Sequence, residues 1–250
     1  MPEIKSGKDR VETDWKTAIN HAATQLKQYS GAEIAILASG RMTNEELWLT
    51  SQLAQTLGVQ LIDIVPRTGP ADDILLSADR NPNTNGARLL GVSNNPGTRL
   101  REIAEGVAGG RIKALIALGE SPLKIGLSAK QIQSLPVLVA MDILADESTK
   151  TATAVLPSFG FAEKRGSMIN GKGRLQRLNR AVRGPGEARD DWEILRDLIH
   201  ACDSKSTSYQ TIEEVFRAMS TSVPAFAELT LSKIGDLGVQ VLNVAEGVPA

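Results

Sequence analysis

Five short apolar runs, each closed by a turn, constrain this chain more than any other feature. They are residues 34–38 (IAILA), 61–65 (LIDIV), 112–118 (IKALIAL), 137–140 (VLVA) and 154–156 (AVL). Each is short for a buried helix and rich enough in Ile, Val, Leu and Ala to be a strand covered on both faces. Helical patterns lie between and before them. Residues 43–57 open on Thr43-Asn44-Glu45-Glu46, a capping box with Thr43 as cap and Glu46 reaching back, and stop at Gly58. Residues 100–107 carry helical periodicity up to Gly109-Gly110, and a short helix is expected over 128–134. Asp14 can cap a helix over 15–29, where Trp15, Ala18, Ile19, Ala22, Ala23 and Leu26 recur at helical spacing. Strands alternating with helices predict an α/β fold: one doubly wound, mainly parallel sheet with helices on both faces and right-handed crossovers.

The strand C-termini of such a sheet share one edge, where ligands of open α/β folds bind. The residues that reach it are Ser39-Gly40-Arg41, Gly119-Glu120-Ser121, Met141-Asp142 and Pro157-Ser158. Ser39-Gly40-Arg41 opens a helix and could hold an anion on free backbone N–H groups. A single glycine without GxGxxG or GxxxxGK[ST] makes a tight structural turn the more economical reading. Glu120, Asp142 and Glu163 stand near strand ends and could in principle form an acid–base pair. Residues 66–97 are turn-rich and long for a connection, which points to a functional or interface segment. Asp72, Asp73 and Asp79 within it fit no calcium-loop spacing and read as turn formers.

Composition removes whole classes of function. With 28 Lys and Arg against 29 Asp and Glu, the net charge of −1 gives no general attraction to nucleic acid or acidic lipid. One cysteine, Cys202, excludes an internal disulfide and an iron–sulfur cluster held by four thiolates of this chain. Two histidines, His21 and His200, exclude a histidine-rich metal site, and neither GxSxG nor HExxH occurs. No run approaches the ~18 apolar residues of a membrane span. The polar start, read as a tail over 1–12, has no secretory apolar core, so the expected compartment is the cytoplasm.

The densest stretch is 154–180, AVLPSFGFAEKRGSMINGKGRLQRLNR. Asn170-Gly171 is a turn signal between expected strands at 167–169 and 174–178, a β-hairpin excursion from the sheet. Lys164, Arg165, Lys172, Arg174, Arg177 and Arg180 crowd it. Arg174 could offer its planar guanidinium to a phosphate or tie the loop to a carboxylate such as Glu163, the internal tie being the simpler choice. Beyond it, a helix over 190–201, apolar positions Ile212, Val215, Phe216 and Met219, and a further short helix around Leu229, Leu231 and Ile234 suggest a helical extension over 183–250. That extension would pack on an α/β domain over 13–182.

The same stretch resembles the signature near the end of the α/β domains of the molybdopterin oxidoreductase superfamily. The pattern, roughly ADVVLP followed by E-x-x-G-T-x-x-N-x-E-G-R-x-Q, is met at Val155, Leu156, Pro157, Glu163, Gly166, Asn170, Gly173, Arg174 and Gln176. It departs at Ser167, where the pattern has threonine, and at Lys172, where it has glutamate. RAVRGPGEARDDWEILRDL and two earlier segments, ILASGRMTNEELWLTSQLAQTLGV and DDILLSADRNPNTNGARLLGV, are similar to the version found in the large iron–sulfur subunit of NADH-quinone oxidoreductase, respiratory complex I. That resemblance implies a structural or assembly domain in the peripheral arm of such a complex, not catalytic alone, without redox centre, molybdopterin or metal. Its partners would be other subunits of a respiratory oxidoreductase, with no nucleic acid and no membrane insertion. It could sit peripherally on the inner face of the cell membrane through that complex. The alternative it implies is a molybdopterin-binding oxidoreductase component completed by a partner chain. A pterin-type ligand would then meet Ser39, Gly40, Arg41, Gly119, Glu120, Ser121, Asn170 and Arg174.

Overall fold

A computed structural model describes residues 1–7, 9–72, 74–206 and 208–243. In chain order the elements are β1 (Glu3–Ser6), β2 (Asp9–Glu12), α1 (Trp15–Leu26), β3 (Ile34–Ser39), α2 (Asn44–Leu57), β4 (Leu61–Val65), α3 (Thr84–Leu89), α4 (Leu100–Ala108), β5 (Ala114–Leu118), α5 (Ala129–Gln133), β6 (Val137–Asp142), β7 (Ala154–Pro157), β8 (Gly166–Ile169), β9 (Arg174–Leu178), α6 (Asp191–Cys202), α7 (Ile212–Ser222) and β10 (Val239–Gln240). Seven strands form the main sheet in the order β2-β1-β7-β6-β5-β3-β4, and β10-β9-β8 form a second, antiparallel sheet. β3 to β7 are all parallel, as expected for the doubly wound class. Taking only these five, the first strand lies between the second and the third. The order therefore reverses between β3 and β5, which is the topological switch point.

Side-chain alternation builds the two covered faces. Ile34, Ile36 and Ala38 of β3 join Ile116, Val139 and Leu156 in a core packed against α1, α2, α6 and α7. Ala35 and Leu37 point the other way, to Leu115, Ala117, Leu138 and Ala140, under Ile103 and Val107 of α4 and Ile132 of α5. The cap residues expected from the sequence sit where capping requires them. Asp14 accepts from the Thr17 N–H at 2.9 Å. Thr43 and Glu46 make the reciprocal pair, with Thr43 N–H to Glu46 Oε2 at 2.9 Å and Glu46 N–H to Thr43 Oγ1 at 3.3 Å. α1 stops at Leu26 rather than near residue 29, because the chain leaves it in a turn.

The structure departs from the sequence-based expectations in three places. Residues 1–12 are not a tail: β1 pairs antiparallel with β7, and β2 pairs with β1. Arg10 bridges to Glu3 and to the Thr149 carbonyl, and Ile4 packs on the core. Each strand carries only one or two apolar side chains, so no apolar period marks it in the sequence. The short helix around Leu229 to Ile234 does not form; a 3-10 turn at Pro224–Phe226 is followed by successive turns, with Glu228 in the left-handed region at φ 64°. The extension is not purely helical either, since β10 adds to β9. The end of the chain, residues 244–250, lies outside the described residues, as does Asp73.

The long segment after β4 is an ordered excursion. Thr68 bridges Asp79, and Asp72 Oδ1 accepts from the N–H groups of Ile74, Leu75 and Leu76 at 3.0, 2.7 and 2.7 Å. Asp79 Oδ1 accepts from Asn81 N–H at 2.9 Å, so both aspartates hold turns. No helix among the described residues is long and apolar enough to cross a membrane.

Candidate functional site at the strand-end edge

The fold brings the β3 and β5 ends together at the switch point. Ser39 Oγ donates to Glu120 Oε1 at 2.7 Å, and Arg41 Nη2 donates to the Gly119 carbonyl at 2.8 Å. Gly40 allows this turn through close packing: a Cβ there would lie 2.7 Å from the Asn81 side chain, which reaches back to the Val65 carbonyl. Glu120 is 2% exposed and meets Arg67 at 2.6 Å and Lys124 at 3.1 Å. Two cations and a hydroxyl therefore compensate one buried carboxylate. The expected residues Ser39, Gly40, Arg41, Gly119, Glu120 and Ser121 thus form one cluster, to which Arg67, unforeseen in the sequence, adds a second guanidinium. Arg67 arrives from the turn-rich segment, where it also donates to Asn81 Oδ1 at 3.1 Å, and nothing in its local pattern marks it.

Beside this cluster lies a cleft of about 80 Å³ lined by Arg41, Gly119, Asp142, Ser158, Phe159 and Phe161, with Lys164 and Asp191 also in its wall. Burial raises the Asp142 pKa from its ordinary value, against the N–H groups of Ile143 and Leu144 and the charge of Arg41. The carboxylates suggested as an acid–base pair each have other partners. Glu120 is held by its cations, and Glu163 Oε2 accepts from Gly160 N–H at 2.7 Å. Asp142 accepts from Ile143 N–H at 2.7 Å.

The hairpin β8–β9 docks on the start of α2. Glu45 accepts from Ser167 N–H at 2.9 Å and from Ser167 Oγ at 2.8 Å, while Asn83 Oδ1 accepts from Ile169 N–H at 2.8 Å. Gly166 permits the approach, because a Cβ would lie 2.7 Å from Glu45 Oε2. Glu45 is wholly buried, and desolvation pushes its pKa up to about 7 despite those hydrogen bonds. Asn170 Oδ1 accepts from the N–H groups of Lys172 and Arg174, both at 3.0 Å, and so shapes the turn. Arg174 Nη1 donates to the carbonyls of Leu237 and Gly238 at 3.3 and 3.2 Å, not to Glu163. Among the described residues, the hydrogen bonds of Asn170 and Arg174 run within the hairpin, to Asn85 and to residues 237–238, and not to the six switch-point residues grouped with them in the sequence reading.

The basic side chains near the hairpin are mostly engaged internally. Arg165 meets Glu213 at 2.5 Å, Arg177 meets Asp236 at 2.9 Å, and Arg180 lies 3.6 Å from Asp190. Lys164 is buried between Glu46 at 3.0 Å and Asp191 at 3.2 Å. Burial opposes its charge, but Asp191 and Glu46 outweigh it and hold its pKa above the ordinary lysine value. Asp190 and Asp191 are shifted upward, first by burial and then by neighbouring carboxylates. Glu46, Asp190 and Asp191 could together face a metal ion, but Lys164 already supplies a cation at Glu46 and Asp191.

Comparison with known proteins finds a likeness over part of the chain. The molybdopterin oxidoreductase family model matches residues 81–201, from the middle of the turn-rich segment through β5 to β9 and nearly all of α6. That stretch, just under half of the chain, is similar to the molybdopterin oxidoreductase family. F420-dependent formate dehydrogenase 1 subunit alpha of Methanococcus maripaludis is 33% identical to it over 133 residues, covering 51% of this chain and 20% of that protein. NADPH-Fe(3+) oxidoreductase subunit alpha of Geobacter sulfurreducens is 34% identical, over 53% of this chain and 16% of that protein. The assimilatory nitrate reductase catalytic subunit of Bacillus subtilis is 30% identical, over 49% and 18%. The match thus spans about a fifth or less of each of these relatives. None of the three is an NADH-quinone oxidoreductase subunit, so they do not support that narrower likeness. The matched region includes Glu120 and Asp142 at the strand-end edge and the whole β8–β9 hairpin. Ser39 and Arg41 lie before its start.

Proposed function

We propose that this chain forms one wall of a molybdopterin site in a multi-subunit oxidoreductase, completed by another chain or by further sequence. The observation that supports it is the convergence of Ser39, Arg41, Gly119 and Asp142 at the switch point of a doubly wound sheet, beside an open cleft. Arg41 commits Nη2 to Gly119 and lies near Ser39 through Nε, which leaves Nη1 for a phosphate oxygen. Ser158 adds a hydroxyl, and Phe159 and Phe161 add flat apolar surface. These residues fit the anionic end of a pterin nucleotide. They do not enclose a whole one, since about 80 Å³ falls well below the roughly 300 Å³ of pockets that bury a small molecule. When bound, such a cofactor supplies a two-electron redox centre. This chain's part is to position it, with Arg67 and Lys124 neutralising Glu120 so that this carboxylate does not repel the incoming phosphate.

A second reading is a structural body in the peripheral arm of an NADH-quinone oxidoreductase-like complex, with no cofactor of its own. The internal pairing of Lys164, Arg165, Arg177 and Arg180 favours it, because these cations are not free to receive an anion. The two readings separate on one preparation. The native chain is purified with its partners, and molybdenum and oxidised pterin are measured with and without Arg41→Ala. The first reading expects stoichiometric pterin that falls in the variant at an unchanged unfolding midpoint. A partner-bound complex free of pterin assigns the second.

A further inference from the structure

A larger cavity lies away from the strand-end edge, among α2, α6 and the segment that joins α6 to α7. It measures about 260 Å³, and Gln52, Thr56, Arg196, Lys205, Ser206 and Tyr209 contribute to its lining. Four observations describe its chemistry. Arg196 meets Asp197 through Nε at 2.8 Å and Nη2 at 2.7 Å, donates through Nη1 to the Tyr209 carbonyl at 2.9 Å, and lies over the Trp192 ring at 5.1 Å. The fork is therefore fixed in place while keeping N–H groups to spare. Asp197 does not cancel it, because Asp197 also pairs with Arg189 at 3.3 Å. Two guanidinium groups thus share one carboxylate, and the Lys205 ammonium in the lining adds a further positive charge. Ser206 Oγ is shut away from solvent with no hydrogen-bond partner among the described residues, a costly state that an acceptor or donor in the cavity would relieve. Gln52 and Thr56 come from α2 and offer neutral hydrogen-bonding groups.

We infer that this cavity binds a small oxyanion, a phosphate ester or a short dicarboxylate. Arg196 and Lys205 receive its charge, and Ser206, Gln52 and Thr56 receive its polar body. The site is separate from the strand-end edge, so a ligand here would act as an effector of the chain or of its assembly and not as the redox cofactor. Tyr209 lines the cavity and meets the Trp48 ring at a centroid distance of 5.8 Å, which couples occupancy to α2 and to the aromatic fluorescence.

The test is calorimetric titration of the purified full chain with inorganic phosphate and, separately, with malonate, at ionic strength held constant with chloride. Saturable one-to-one binding of at least one anion is expected. Phosphate alone would assign the ester class, and malonate alone the carboxylate class. Lys205→Glu, an exposed change, should weaken binding about tenfold or more, and Thr56→Trp should abolish it by filling the cavity, both at an unchanged unfolding midpoint. Arg196 is a poorer probe because it also ties the Tyr209 backbone. Absence of saturable binding by either anion, or equal binding by both variants and the wild type, would overturn the assignment.

Discussion

Lys164 shows how one residue can hold several elements. Its ammonium joins Glu46, in the first turn of α2, to Asp191, at the start of α6, beside Asp190. The pair is buried, so its removal differs in kind from the loss of a surface bridge. Lys164→Met leaves a group of buried carboxylates without their cation and should cost about 3–5 kcal/mol at neutral pH. Arg165→Gln breaks a bridge to Glu213 whose side chains are both 43% exposed, and should cost no more than about 1 kcal/mol. Urea unfolding of the two variants checks the contrast, and equal midpoints would refute it. Glu45 carries a pH dependence. Its folded pKa of about 7 stands above the ordinary value of 4.5, so the folded chain keeps a proton that the unfolded chain has already released. Stability therefore falls as pH rises from about 4.5 to about 7 and this contribution levels off above that range, with an upper bound on the order of 3 kcal/mol. Asp190 and Asp191 act in the same direction. Glu45→Gln should flatten the slope, which unfolding midpoints between pH 5 and pH 8 will show; an unaltered slope would place the proton elsewhere.

At the scale of elements, the β8–β9 hairpin is a structural clasp. It contacts α2 through Glu45 and Asn44, the α3 region through Asn83 and Asn85, and residues 237–238 through Arg174. Arg174→Ala removes donors to two carbonyls at the turn that leads into β10. The expected loss is about 1 kcal/mol, with faster amide exchange around residues 237–242 and no change in pterin content of the complex. Loss of pterin at an unchanged midpoint would instead place Arg174 in the cofactor wall. The hairpin itself was legible in the sequence, because Asn170-Gly171 and the glycine at 173 mark the turn locally. Its docking was not legible. Glu45 and Ser167 are 122 residues apart in sequence, and neither residue's local pattern indicates the other.

The whole molecule depends on how the edges of its main sheet are covered. β4 bounds one edge, and the Asp63 side chain there gathers Ser93, Gly97 and Arg99 around it. The other edge would be β7 if residues 1–12 were a tail. The β1–β2 hairpin covers it instead, with Lys5 N–H donating to the Thr153 carbonyl at 2.9 Å. Deletion of residues 2–12 should expose the β7 backbone, lower the unfolding midpoint by several degrees and make the chain associate as concentration rises. Light scattering across a concentration series checks this, and a monomeric, equally stable deletion would show that the hairpin is dispensable.

The sequence by itself determined the class of fold, the five parallel strands, the capped start of α2 and the hairpin turn. All of these rest on interactions within a few residues: side-chain periodicity, a cap three residues from its partner, and a turn that needs a particular backbone. It also placed residues 39–41, 119–121, 141–142 and 157–158 at the strand-end edge, because every parallel strand must end there. Tertiary structure alone decided which side chains meet. It placed Arg67 against Glu120, Lys164 between two carboxylates, and Arg174 on a distant carbonyl pair instead of on Glu163. Charged side chains are long and take whichever partner the packed elements bring within reach. Their pairing is therefore set by the meeting of surfaces far apart in the chain, and no local pattern records it.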